Sequence, residues 1–320
     1  MQDAEQLLRR AKRPLVLGMG GGGDVVGALA TAESMRLYDH ADPLVGGIAW
    51  ERLPIDAVPG PRRASEIEAA EEIAPGILLA GPSTRARGRD MYFAEARMAE
   101  FLGEQTLLVD IQAGPAAIAS ALASAAARLD RDLIVFIDVG GDLLAQGDEA
   151  GLRSPLCDAV MLAAAAGLAA RGAPVLAGIF GVGCDAELTP QEVLARLAQI
   201  AAAGGLCGAR GLTDPVAKRL EHAIGLVPTE ASAQAVRAFR GAAGIATIRG
   251  GARTLELTAT AALTFYLDVE ITMRATGRLA RAVADADSLE QANEALHRLG
   301  VRTELDLEFE AASRTRGARP

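Results

Sequence analysis

Unbroken apolar runs of strand length alternate with Ala-rich helical stretches through the first 180 of this chain's 320 residues, and that alternation limits the fold more than any other feature. Runs such as DLIVFID (132–138) and PVLAGIF (174–180) show no apolar–polar alternation. Such strands suit a sheet covered on both faces. Strands are expected near 14–19, 44–49, 76–80, 106–111, 133–138 and 174–180. Helices are expected near 25–38, 64–73, 91–103, 115–129 and 155–171. The order predicts an α/β fold with a doubly wound, mostly parallel, Rossmann-like sheet. From about residue 186 the pattern becomes a helical elaboration, interrupted by the strand-like RTLELTATAALTFYLDVEIT (253–272). A single domain over 1–308 is expected, with 309–320 as a frayed tail.

Half of the residues are hydrophobic but only 3% are aromatic, so the core must pack small side chains. The net charge of −9 argues against nucleic-acid binding. The first residues carry charge where a secretory leader needs an apolar segment, and the longest apolar run, Ala159–Ala170, is too short to span a bilayer. A cytoplasmic protein without a membrane partner is therefore expected, with a homo-oligomer left open. Cys157, Cys184 and Cys207 lack metal or disulfide spacing and read as reduced thiols. With only Lys12 and Lys218 as lysines, an anion must be held by arginines or backbone amides.

The glycine-rich and charged words follow the expected strands: GMGGGGD (18–24), WERLPIDAVPGPRR (50–63), AGPSTRARGRD (80–90), DIQAG (110–114), DVGGDLLAQGDEAGLRSPLCD (138–158) and GVGCDAEL (181–188). In a parallel sheet these loops share the carboxyl edge, where open α/β sheets bind ligands. Gly18, Gly20 and Gly23 satisfy a G-x-G-x-x-G pattern between a strand and a helix. The amides of Gly20, Gly21, Gly22 and Gly23 could therefore cradle a phosphate at a helix N-terminus. A dinucleotide site expects an acid at the end of the second strand; Glu51 comes some ten residues late. The plainer role for Asp24 is a helix cap.

Many carboxylates fall on the same edge, among them Asp24, Glu51, Asp56, Asp110, Asp138, Asp142, Asp148, Glu149, Asp158, Asp185 and Glu187. Mutual repulsion in one cleft would be relieved by a hard cation such as Mg²⁺. Asp138 and Asp142, flanking two glycines, are the leading ligand pair, with Asp24 beside them. Asp185, Glu187 and Glu51 are candidates for acid–base work. Trp50 offers a flat face to a base or sugar, and Arg52, Arg62 and Arg153 could hold phosphate. Arg85, Arg87 and Arg89 form a second basic loop. Ser154 is placed as the N-cap of a helix beginning at Pro155. Cys157 reads more readily as buried than as a nucleophile, and Cys184 sits beside Asp185, whose charge disfavours a thiolate.

The words GMGGGGD, WERLPIDAVPGP, DVGGD, LRSPLCDA, FGVGCDAEL and TELDL, in this order, resemble an archaeal and bacterial family known as domain of unknown function 1152, over roughly residues 12–308. The resemblance implies one family-wide site but no settled activity. Ala186 stands where the family's word would have Gly, and TELDL adds Glu304 and Asp306 as residues that could reach the cleft. The residues point to a Mg²⁺-assisted enzyme acting on a phosphorylated sugar or nucleotide-like small molecule. Hydrolysis or cleavage at a sugar carbon is favoured over phosphoryl transfer, because no P-loop lysine follows the glycines. The alternatives are an oxidoreductase dependent on NAD or FAD and a non-catalytic nucleotide sensor.

Overall fold

The computed structural model describes residues 3–317. Eleven strands occur among them: β1 (Pro14–Gly18), β2 (Leu44–Ile48), β3 (Ile67–Ala74), β4 (Ile77–Ala86), β5 (Thr106–Val109), β6 (Leu133–Val139), β7 (Val175–Phe180), β8 (Leu206–Gly211), β9 (Gly244–Ile248), β10 (Arg253–Leu257) and β11 (Leu263–Leu267). The helices are α1 (Ala4–Arg10), α2 (Asp24–Tyr38), α3 (Ala94–Leu102), α4 (Gly114–Arg128), α5 (Pro155–Ala169), α6 (Pro190–Ala202), α7 (Asp214–Ile224), α8 (Ala231–Phe239), α9 (Val269–Ala275), α10 (Arg278–Val283), α11 (Leu289–Arg298) and α12 (Glu304–Gly317). None is long and apolar enough to cross a membrane.

Nine strands form one sheet in the order β3-β4-β5-β2-β1-β6-β7-β11-β8, and β9 with β10 forms a separate hairpin. The five central strands, β5 to β7 in that order, are parallel. Their side chains alternate between two apolar layers. Leu15 and Leu17 of β1, with Ile134 and Phe136 of β6, pack with α4 and α5. Val16, Leu133 and Val135 pack on the other face with α2 and α7. Every residue of β1, β2, β6 and β7 is buried, as expected for strands covered on both sides. Helix α2 comes unusually close to the sheet: a Cβ at Gly27 would lie 2.2 Å from Val139 Cγ2.

The structure departs from the sequence expectations at several points. Residues 64–73, expected as a helix, form a short 3₁₀ turn at Ala64–Glu66 followed by β3, an antiparallel edge strand. Ala and Glu favour a helix, but Ile67, Ile73 and Ala74 find their burial by pairing with β4. Of the expected tail, 309–317 continues α12, while 318–320 lies outside the described residues. The elaboration beyond 186 also contributes two strands, β8 and β11, to the main sheet. Because β4 runs antiparallel to β5, AGPSTRARGRD does not follow a strand of the parallel set. Its arginines are engaged elsewhere: Arg85 pairs with Glu68 at 2.7 Å, Arg87 donates to the carbonyls of Ser65 and Ile67, and Arg89 lies 3.9 Å from Asp56.

Candidate functional site

The chain passes from β1 to β2 on one side of the sheet and from β6 to β7 on the other, so the sheet reverses its winding between β1 and β6. A cavity of about 630 Å³ opens at that point. Its wall takes Gly20–Asp24 from the loop after β1, Glu51–Ile55 from the loop after β2, and Val139 and Asp142 from the end of β6. Asp185 and Glu187 come from the loop after β7, and Ser154 and Asp158 from the start of α5. The loop after β5 does not reach the wall; Asp110 accepts instead from the amides of Ala64 and Gln112.

The glycine loop answers its own puzzle. Gly23 holds the cap position of α2 and Asp24 is the first helical residue, so Asp24 is not the cap. Its carboxylate turns back and accepts the Gly20 amide at 3.0 Å. The loop is tight for this reason: a Cβ at Gly18 would meet the Asp24 backbone at 2.5 Å, and one at Gly20 would meet Asp24 Oδ2 at the same distance. The amides of Gly21, Gly22 and Gly23 donate to no acceptor among the described residues and lie along the cavity wall.

The carboxylates gather in two groups. Oxygens of Asp24, Asp138 and Asp158 all lie within 4.8 Å of one another, and so do those of Asp142, Asp185 and Glu187. Asp138 and Asp158 are buried, and each keeps one oxygen, Oδ1, without a hydrogen bond. Withdrawal from water and the Asp138 charge push Asp24 up to about 8. Burial raises Asp138 to about 7, and burial with the surrounding acids raises Asp142, Asp158 and Asp185 well above the carboxylate range. The sequence pairs Asp138 with Asp142 as the leading ligands. The two touch, but Asp142 belongs to the second group, and Asp158 completes the first. Asp158 was legible only as one acid among many; its place on the first turn of a helix at the carboxyl edge was the available signal.

Glycines set the second group. Gly140 and Gly141 have φ of 125° and 121°, which side chains rarely adopt, and a Cβ at Gly140 would lie 2.1 Å from the Asp185 carboxyl carbon. Asp185 is thus pressed onto the β6 loop beside Asp142. Glu187 accepts from the amides of Arg153 and Ser154 at 2.6 and 2.8 Å, from the Ser154 hydroxyl at 2.5 Å, and from Arg253 at 3.1 Å. Ser154 holds the expected cap position, yet its hydroxyl serves Glu187 and not the helix. The helix is capped by Glu304 of α12, which accepts the amides of Leu156 and Cys157 at 3.0 and 2.8 Å.

Glu51 lines the cavity, accepts the Ala94 amide at 2.5 Å and is raised by burial to about 7. Arg52 also lines it, but its charge is committed: it lies 3.4 Å from Glu304 and 3.5 Å from Glu308, donates to the Gly20 carbonyl, and stacks 4.0 Å from the Trp50 ring centre. Three expected contacts lie off the wall. Trp50 is fully buried with its indole N–H on Glu308, so no ligand can stack on it. Arg62 is buried in an ion pair with Asp56 at 2.7 Å. Arg153 points its guanidinium outward onto the carbonyls of Ala150 and Leu152.

The remaining expected acids serve local structure or solvent: Glu149 accepts the amides of Gln146 and Gly147, and Asp148 is exposed. Asp306 faces His297 and the Thr303 amide, so of the TELDL acids it is Glu304 that reaches the site. Cys157 and Cys184 are buried with their thiols raised, which removes them as nucleophiles. Nothing local in the sequence marks Pro228–Ala231, Arg249 or Gly250, which complete the wall. Thr229 packs where a Gly23 Cβ would stand, and Arg249 projects from the turn between β9 and β10.

No curated protein and no solved structure matches the chain. A match to one described family covers residues 15–312, nearly all of the sequence, and takes in every loop of the cavity. The chain belongs to the family described as Protein of unknown function (DUF1152).

Proposed function

We propose that the protein is a divalent-cation-dependent enzyme acting on a phosphorylated sugar or nucleotide-like small molecule, by hydrolysis or cleavage at a sugar carbon. The observation that carries this reading is the pair of buried, unbonded oxygens on Asp138 and Asp158, grouped with Asp24 beside the free amides of Gly21–Gly23. A buried carboxylate oxygen without a donor costs free energy on the order of 1–3 kcal/mol, and coordination would remove that cost. The donor set is all oxygen, which suits Mg²⁺. Bound there, the cation would neutralise ligand phosphate and polarise the oxygen at the reacting centre.

The chain's own groups then have distinct tasks. The Gly21–Gly23 amides, at the positive end of α2, hold phosphate oxygens. Asp185, raised beside Glu187, carries a proton and can deliver it to a leaving oxygen. Glu51, poised near neutral pH across the cavity, can take a proton from water or a hydroxyl. Glu187, fixed by four donors, positions Asp185. Leu53, Pro54 and Ile55 give the ligand an apolar side to lie against.

A dinucleotide is a weaker fit. The Gly20 amide and the start of α5, two places a pyrophosphate would be held, already carry the carboxylates of Asp24 and Glu304.

The test is a thermal-shift screen of sugar phosphates and nucleotides with Mg²⁺ or with chelator. A phosphorylated ligand should raise the melting temperature by several degrees only with Mg²⁺ present, and Asp158→Asn should abolish the rise. An equal rise in chelator, or in the variant, would contradict the reading.

A further inference from the structure

We propose that the cavity holds a second divalent cation, at Asp142, Asp185 and Glu187, so that one phosphate group of the ligand is gripped by two cations at once. The proposal rests on the cation-dependent reading of the first group and extends it; with the second cation bound, Asp185 is a ligand and no longer the proton donor. The oxygens of Asp142, Asp185 and Glu187 converge within 4.8 Å. Asp142 supplies the independent observation. It is only 7% exposed, it lines the cavity, and no N–H or O–H of the described residues donates to it apart from its contact with the Asp138 carboxyl. A carboxylate so deeply placed and so poorly served lacks a positive partner.

The charge balance points the same way. Of the three acids in this group, Glu187 alone has an arginine among the described residues, Arg253 at 3.1 Å. The cavity wall carries Asp24, Glu51, Asp142, Asp158, Asp185, Glu187 and Glu230 against Arg52 and Arg249, and Arg52 is already neutralised by Glu304 and Glu308. Arg249 lies 3.6 Å from Glu230. One divalent cation at the first group leaves Asp142 and Asp185 without a positive partner among the described residues.

The two groups adjoin. Asp138 ends β6, Asp142 follows four residues later, and their carboxyls touch. Two cations so placed would both ligate one phosphate group of the ligand, about 3.5–4 Å being the usual spacing of paired cations in enzymes, with the reacting sugar carbon beyond that phosphate. Such a grip narrows the substrate class to phosphate monoesters, whose terminal oxygens can reach both cations.

The experiment is Mn²⁺ titration of the full chain by calorimetry, with electron paramagnetic resonance of the loaded protein. Two Mn²⁺ per chain and an exchange-coupled spectrum are expected. Asp185→Asn and Asp142→Asn should each reduce the stoichiometry to one and leave an uncoupled spectrum, as should Asp158→Asn on the other side. Circular dichroism identifies the variants that fold, and either second-group variant suffices. One Mn²⁺ per folded wild-type chain, unchanged by Asp185→Asn or Asp142→Asn, would overturn the second cation and leave the first. No Mn²⁺ bound to folded protein would remove both.

Discussion

Asp24 shows how one side chain can change the meaning of part of a motif. A glycine loop before a helix ordinarily leaves amides for an anion. Here Asp24 occupies the Gly20 amide itself and brings its charge against Asp138. A carboxyl raised in the fold binds more protons folded than unfolded. Its stabilising contribution is therefore present at acid pH and is lost as pH rises from about 4, the ordinary carboxylate range, through the raised value of about 8. Asp138 and Glu51, each raised to about 7, act in the same direction. In chelator, the melting temperature should fall between about pH 5 and pH 8. It should fall less in Asp24→Asn, and Mg²⁺ should reverse much of the wild-type fall. A melting temperature that is flat or rising in chelator would count against these environments.

Glu304 offers a second test at this scale, since it caps α5 and faces Arg52 in the interior. Replacing it with Ala removes both roles and should destabilise the protein by roughly 3–5 kcal/mol in a denaturant titration. That residue was legible in the sequence only as an acid in a late word, because nothing local reveals that α12 returns to the start of α5.

Elements were read well where local pattern and tertiary setting agree. β1, β2, β6 and β7 are wholly buried and their continuous apolar runs say so. The reading failed at 64–73, where Ala and Glu propensity yields to pairing at a sheet edge. It also passed over β8, whose LCGARG is half exposed and has too few apolar residues to stand out. The turn after β6 was legible as a site, though not the reason for its glycines. Gly140→Ala places a Cβ against the Asp185 carboxyl at a backbone angle that alone costs roughly 1–3 kcal/mol. The variant should unfold at lower denaturant and lose Mn²⁺ from the second group before the first. Wild-type stability would show that the turn relaxes freely.

At the scale of the molecule, the carboxyl edge of a parallel sheet was predictable from loop chemistry, and five of its expected loops do follow parallel strands. The parts that close the cavity were not, because 228–231, 249–250 and α12 lie far along the chain from the loops they meet. The single tryptophan reports on that closure: Trp50 is fully buried and bonds to Glu308 of α12. Truncation after Arg302 should shift its fluorescence to the red and lower the melting temperature, whereas an unchanged emission would mean that α12 does not cover it.

The most direct measurement is an anomalous difference map from crystals grown in Mn²⁺. A peak coordinated by Asp24, Asp138 and Asp158 is the expected result. A well-ordered site in which those three carboxyls bond only to one another, with no peak between them, would contradict the account.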